Sequence, residues 1–324
     1  MLKDKLGREF HYLRLSITDV CNFKCNYCLP DGYQCDSERN FLSVEEIRRL
    51  VTGFARLGTS KIRITGGEPA LRKDLPLIIK TCKSIPGINK VAITTNGYNL
   101  EHKIEQWVEA GLDALNVSID SLKPDVFRLI TGHDKLTSIL RGLDKAHQLG
   151  IKDIKINAVL MKAFNASEFT DYLNWMRDKP YTLRFIELMQ TGDNLNFFKQ
   201  NHVKGEDLKK QLLDDSWSSV IRKKDAGPAQ EFFHPDYQGR IGLIMPYSKD
   251  FCQTCNRLRI SALAKLHLCL FTEEGIDFRP LLQSDEQLDE FTTSLQQALR
   301  QKTASHLLQD GETGITKHLA MIGG

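Results

Sequence analysis

Six strand-like runs alternate with helix-forming runs through the first 190 residues of the sequence, and no other feature narrows the fold as much. Such alternation implies a parallel sheet with right-handed crossovers. The strands are read at His11–Thr18, Lys61–Thr65, Lys90–Thr95, Ala114–Ile119, Ile154–Met161 and Thr182–Met189. Helices are read from a Ser43 cap to Gly58, then at Leu75–Ser84, Leu100–Ala110, Leu136–Leu149 and Ala166–Arg177, with Gly58, Gly111 and Gly150 as stops. Units this short fit an incomplete (β/α)6 barrel of the TIM type better than an open doubly wound sheet. Barrels of that type place ligands at the C-terminal ends of the strands. The unusual residues fall there: Cys21, Cys25 and Cys28, then GGEP (66–69), TTNG (94–97), SIDS (118–121) and IELMQ (186–190).

After Met189 the pattern breaks. The polar stretch Gln190–Lys204 suggests a boundary, with a partial barrel over 1–196 and an extension over 197–324. The extension reads as a short helix (Glu206–Leu213), a β-like run (Gln238–Pro246), a second cysteine group, a long amphipathic helix (Asp285–Leu308) and a terminal Gly323-Gly324.

At 324 residues, 41% hydrophobic and 26% charged, the chain is long and apolar enough for a real core. A net charge of +3 is too small to mark a nucleic-acid binder. The sequence has no run of about 18 apolar residues and no signal-peptide core at its start, so a cytoplasmic protein without a membrane partner is expected. In that compartment cysteines stay reduced, and metal ligation becomes a better explanation for them than disulfides. Cys82 sits in an apolar helical run and reads as a buried small hydrophobe, and Cys35 as a bystander in a polar loop.

The other six cysteines form two triads, Cys21/Cys25/Cys28 as C-x3-C-x2-C and Cys252/Cys255/Cys269 as C-x2-C-x13-C. Three thiolates leave one ligand position open on a metal centre, where a small chelating molecule can bind. Zinc is the alternative for either triad, completed by a distant His or Cys in the first and by His267 or His234 in the second. Arg257 and Arg259 lie between the cysteines of the second triad and suit an anionic ligand. Lys155 falls on a strand expected to be buried, where an unpaired ammonium is costly. No G-x-x-x-x-G-K-[ST] loop is present, so any phosphate must be met by dispersed cations.

The first triad, with Tyr27 before Cys28, resembles the signature of the radical S-adenosylmethionine superfamily, and GGEP is similar to that superfamily's motif for the methionine amino group. RLSIT, RITGGEP, TTNG, SIDS, KINAV, CNRLR and the terminal glycines, in that order, resemble the GTP 3′,8-cyclase family over nearly the whole chain. The resemblance implies radical cyclisation of GTP to 3′,8-cyclo-7,8-dihydro-GTP, the first step of molybdenum cofactor biosynthesis. It implies a catalytic [4Fe–4S] cluster on Cys21, Cys25 and Cys28, and a second on Cys252, Cys255 and Cys269. S-adenosylmethionine would meet Tyr27, Gly67, Ser118 and Met189. GTP would meet Arg14, Arg63, Thr95, Lys155, Arg257, Leu258 and Arg259, with Gly323 and Gly324 needed for activity alongside Arg257 and Arg259. The partners implied are an electron donor of flavodoxin or ferredoxin type, hand-over to cyclic pyranopterin monophosphate synthase, and a second copy in a homodimer. Two departures from the family pattern are Leu29, where Met is common, and Leu263-Ala264, where Asp-Gly is expected. A peptide-modifying radical enzyme with an auxiliary cluster and a zinc-stabilised binding protein are the rival readings.

Overall fold

A computed structural model describes residues 1–34, 40–221, 226–271, 274–314 and 319–323. Cys35 and Gly324 therefore lie outside the described residues. The six strands form where they are read: β1 (Tyr12–Ser16), β2 (Lys61–Thr65), β3 (Lys90–Thr95), β4 (Ala114–Ser118), β5 (Asp153–Leu160) and β6 (Thr182–Glu187). Between them lie α1 (Val44–Arg56), α2 (Leu75–Ser84), α3 (Leu100–Glu109), α4 (Pro124–Thr131), α5 (Leu136–Gln148) and α6 (Phe169–Met176). Ser43 starts α1 with a reciprocal cap: its Oγ accepts from the Glu46 amide at 3.2 Å, and the Glu46 carboxylate accepts from the Ser43 amide at 2.8 Å. Helix α4 was not anticipated, although Pro124 opens it and Gly132, at φ +77°, closes it.

The C-terminal third adds α7 (Leu195–Asn201), α8 (Gly205–Asp214), β7 (Ser218–Ser219), β8 (Gln230–Phe233), β9 (Arg240–Ile244), β10 (Arg257–Ile260), β11 (Lys265–His267), β12 (Ile276–Asp277) and α9 (Leu288–Leu299). The long helix expected to reach Leu308 stops at Leu299 instead. Beyond it the chain turns onto the second cysteine group: the Lys302 ammonium meets the Leu268 carbonyl, and Arg8 holds the carbonyls of Thr303 and Ala304. These tertiary contacts override the helical periodicity.

All twelve strands form one sheet in the order β12-β11-β10-β1-β2-β3-β4-β5-β6-β9-β8-β7. Strands β10 and β9 pair in parallel with β1 and β6, so the C-terminal third extends the six-stranded core on both sides. The outer strands β11, β12, β8 and β7 are antiparallel. The sheet is a partial TIM-type barrel. Its strands alternate in a telling way. Leu13, Leu15, Ile62, Ile64, Leu115, Val117, Leu258 and Ile260 join the core cluster with the helices. Their neighbours Tyr12, Arg14, Arg63, Asn116 and Arg259 line a cavity inside the curl. Each buried aliphatic contributes about 1.5–3 kcal/mol, so the outer face carries the stability and leaves the inner face to polar chemistry. Among the described residues no helix is long and apolar enough to cross a membrane.

Candidate functional site

The cysteine loop follows β1 and rests on two neighbouring elements. The amides of Lys24 and Asn26 donate to the carbonyls of Thr131 and Ile130 at the end of α4, at 3.0 and 3.1 Å. Phe23 is buried and stacks on His133 with ring centroids 4.8 Å apart, and the His133 Nε2 is 2.8 Å from the Asn22 carbonyl. The Tyr27 hydroxyl donates to Asp120 of SIDS at 2.9 Å. Burial pushes the Cys21 thiol up to about 11 and the Cys28 thiol up to about 12, and Cys25 rises as well.

The glycines of GGEP are explained by the chain's own backbone. A Cβ on Gly66 would lie 2.3 Å from the Thr18 carbonyl oxygen, and one on Gly67 would lie 2.3 Å from that of Val20. Only glycine lets this turn press against the cysteine loop. Glu68 of the same motif faces inward. It is buried, and accepts from the Thr95 hydroxyl at 2.7 Å, the Asn96 amide at 2.6 Å and the Ala70 amide at 2.9 Å. Burial lifts its carboxyl to about 7 despite those donors. Replacing Glu68 by Gln places an NH2 opposite a donor, so E68Q is expected to lose about 1–3 kcal/mol in equilibrium unfolding.

The second triad stands in a different field. Cys252, Cys255 and Cys269 line the inner cavity together with Arg14, Arg63, Arg257, Arg259 and Met189. Burial alone would raise Cys252, yet hydrogen bonds with His306 and Ser305 bring it down to about 6. Cys255 reaches about 7 against the same opposition, through Arg257 and Lys302. The loop is bolted by the N-terminal segment. The Arg8 guanidinium pairs with buried Asp4 at 2.6 Å and donates to the carbonyls of Cys252 at 3.1 Å, Ala304 at 2.9 Å and Thr303 at 2.6 Å. Removing one partner of such a pair strands the other, so R8A is expected to destabilise the fold by about 3–5 kcal/mol, with partial recovery in R8K. Chemical denaturation of both variants checks this.

The triads fit iron–sulfur clusters by their donor chemistry. Each offers free thiols, on one short loop in the first triad and on either side of β10 and β11 in the second, and the acidic surroundings of the first contrast with the basic surroundings of the second.

The inner cavity adjoins a larger one, of about 700 Å³, lined by Lys61, Lys90, Lys155 and Arg240 and sharing Arg184 with it. Lys155 lines this second cavity and pairs with Asp153. Burial, then Arg184 and Arg63, lowers Lys155 to about 6, and burial with Arg257 lowers Arg259 to about 10. Mutual repulsion among buried cations is what a polyanion relieves. The sequence reading missed Lys61, Lys90 and Arg184, although their signal was present as basic residues at alternating, inward positions of K61-x-R63, K90 and R184. Of the remaining expected ligands, Thr95 is buried with its hydroxyl on Glu68, Leu258 packs its side chain in the core, and Ser118 is half-buried at the end of β4. Gly323 is buried against Arg259, whose Nη1 donates to its carbonyl at 2.8 Å. The amides of Ala320 and Leu319 reach the Cys28 thiol, so the tail touches both halves of the site. Ala264, one of the departures, sits at φ +66°, where the family's glycine is unstrained.

Comparison with known proteins agrees with this arrangement. Residues 15–176 match the model of the Radical SAM superfamily, and residues 181–308 match Molybdenum Cofactor Synthesis C. The chain is 55% identical to GTP 3′,8-cyclase of Vibrio atlanticus, covering 99% of this chain and 97% of the relative. The protein of that name from Yersinia pestis is 52% identical over 100% and 99%. The chain belongs to the GTP 3′,8-cyclase family. As a radical S-adenosylmethionine enzyme of that family it carries an iron–sulfur cluster and uses S-adenosylmethionine. The fold likeness reaches further. A structure of Streptococcus suis SuiB bound to S-adenosylmethionine superposes with a TM-score of 0.63 at 14% identity, covering 91% of this chain and 68% of that one. The [FeFe]-hydrogenase maturase HydG superposes at 0.51 and 18% identity, over 63% of this chain and 48% of that one.

Proposed function

We propose that the chain converts GTP to 3′,8-cyclo-7,8-dihydro-GTP, the first step of molybdenum cofactor biosynthesis. The observation that carries this reading is the shared cavity: arginines from β1, β2, β6 and β10 face the same space as Cys252, Cys255 and Cys269. Arg184 links that space to the lysine-lined cavity, and together they offer a long cationic site for a nucleoside triphosphate. Guanidinium groups take phosphate oxygens in pairs and keep their charge.

Cys21, Cys25 and Cys28 hold the catalytic cluster in this reading, and Cys252, Cys255 and Cys269 hold a second. Cys21, Cys25 and Cys28 would hold the catalytic cluster where it could supply the electron needed for reductive cleavage of S-adenosylmethionine. The protein's own task is placement. Tyr27, Gly67, Ser118 and Met189 surround the S-adenosylmethionine position at the strand ends. Arg14, Arg63, Lys155, Arg257 and Arg259 surround GTP, Thr95 and Leu258 brace that wall from within the fold, and Gly323 stands between the two ligands. Residues 1–196 form the radical domain and 197–324 the substrate region, whose strands flank it on both sides. The working state is cytoplasmic and homodimeric, fed by a flavodoxin- or ferredoxin-type donor, with product passed to cyclic pyranopterin monophosphate synthase.

Anaerobic reconstitution followed by dithionite, S-adenosylmethionine and GTP tests the reading, with products resolved by mass spectrometry. 5′-Deoxyadenosine together with an isomer of GTP is the expected result. 5′-Deoxyadenosine without GTP conversion would return the peptide-modifying alternative. Bound zinc and neither product would overturn the reading altogether.

A further inference from the structure

We propose that Asn116 reads the ribose hydroxyls of the nucleotide substrate, an inference that rests on the GTP reading above. Asn116 lies on β4, is 1% exposed and lines the inner cavity. Neither its Nδ2 nor its Oδ1 has a hydrogen-bond partner in the protein. Folded proteins pair about 90% or more of such buried atoms, so an amide with donor and acceptor both open is a preformed socket. It is not isolated. Thr94, opposite it on β3, and Asn157, two positions beyond Lys155 on β5, also line the cavity with a buried, partnerless oxygen.

The chemistry of this wall selects its ligand. A phosphate oxygen only accepts, and would be repelled by Oδ1 of Asn116, while the cations nearby already suit it. An ammonium only donates, and would leave Nδ2 open. A hydroxyl donates and accepts at once, and a pair of vicinal hydroxyls matches both ends of an amide. The sugar of a nucleoside triphosphate offers such a pair between its base and its phosphates. Depth separates this sugar from that of S-adenosylmethionine. Asn116 stands two residues before Ser118, about 6–7 Å inward from the strand end, in the cavity of Arg14, Arg63 and the second triad. Holding the substrate hydroxyls there fixes which face of the ribose turns toward the radical.

Equilibrium binding under anaerobic conditions tests the inference. The reconstituted parent, N116A and N116S are titrated with GTP, 2′-deoxyGTP, 3′-deoxyGTP and S-adenosylmethionine. The parent is expected to bind at least one deoxy analogue roughly 10- to 100-fold more weakly than GTP. In N116A, GTP should weaken to the level of that analogue, with S-adenosylmethionine affinity unchanged. Equal binding of all three nucleotides by the parent overturns the inference, as does parent-like discrimination in N116A. A variant that loses S-adenosylmethionine and keeps GTP also overturns it, by moving Asn116 to the other sugar. Should N116A fail to fold, N116S and the parent's own discrimination still decide. A parent that binds no GTP defeats the underlying functional reading, whereas one that cyclises GTP with selectivity independent of residue 116 defeats this inference alone.

Discussion

C255S is expected to keep cleaving S-adenosylmethionine while losing GTP cyclisation by about 10³-fold or more, a barrier increase of about 4 kcal/mol. The two halves of that outcome come from separate places. Cys21, Cys25 and Cys28 follow β1 on a loop held by α4 and Asp120, and none of those contacts involves the second triad. Cys255 lies across the inner cavity, where Arg257 and Lys302 favour its thiolate over the opposing effect of burial. Serine nearly matches cysteine in size, so the fold should survive, but its hydroxyl stays protonated and is a poor ligand for iron. Two thiolates then remain where three stood. Iron content gives an independent readout, falling from about eight to about four per chain if each triad holds a four-iron cluster. Cyclisation at the parent rate in C255S would remove the second triad from the substrate site. Loss of both reactions, with iron falling at both sites, would mean that the two halves are structurally coupled.

How much of this was legible beforehand depends on what kind of signal each part carries. The six βα units were, because β-branched runs and glycine stops are local. The places where motifs meet strand ends follow from the same reading. β10 was hidden, since Arg257 and Arg259 read as ligand chemistry and four residues show too little alternation to be read as a strand. Yet that strand pairs with β1 and brings both arginines into the cavity. α4 is legible in Pro124 and Gly132, which open and close it. The end of α9 was not readable, because Arg8, nearly three hundred residues away in sequence, holds the carbonyls that turn the chain. Glu68 shows a further limit. Nothing in GGEP reveals that its carboxylate accepts from Thr95, Asn96 and Ala70, which only the fold shows. Lys61, Lys90 and Arg184 needed one more inference from the sequence, that inward positions of a barrel face one another.

The tail offers the second large effect. G323A is expected to lower cyclisation about 100-fold, about 3 kcal/mol, while 5′-deoxyadenosine still forms. Gly323 sits at φ +66°, where an L-residue with a side chain is strained by about 1–2 kcal/mol. Its Cβ would also lie 2.2 Å from Cγ2 of Thr65, closer than carbon atoms can approach. Thr65 is buried at the end of β2 and β-branched, so it has little room to turn away. The tail must therefore shift, and with it goes the carbonyl that Arg259 holds at 2.8 Å. Arg259 is itself buried beside Arg257, and without that acceptor it is free to leave its place in the wall of the inner cavity. Release of the tail also withdraws the Leu319 and Ala320 amides from Cys28, which predicts 5′-deoxyadenosine formed in excess over cyclised product. A second substitution isolates the cause. T65S removes the methyl that collides with the new Cβ, so the T65S/G323A pair should recover part of the lost turnover, leaving the φ strain as the remainder. If the double variant is no better than G323A, packing against Thr65 is not what holds the tail. If G323A cyclises GTP at the parent rate, the contact between Arg259 and the tail has no part in catalysis.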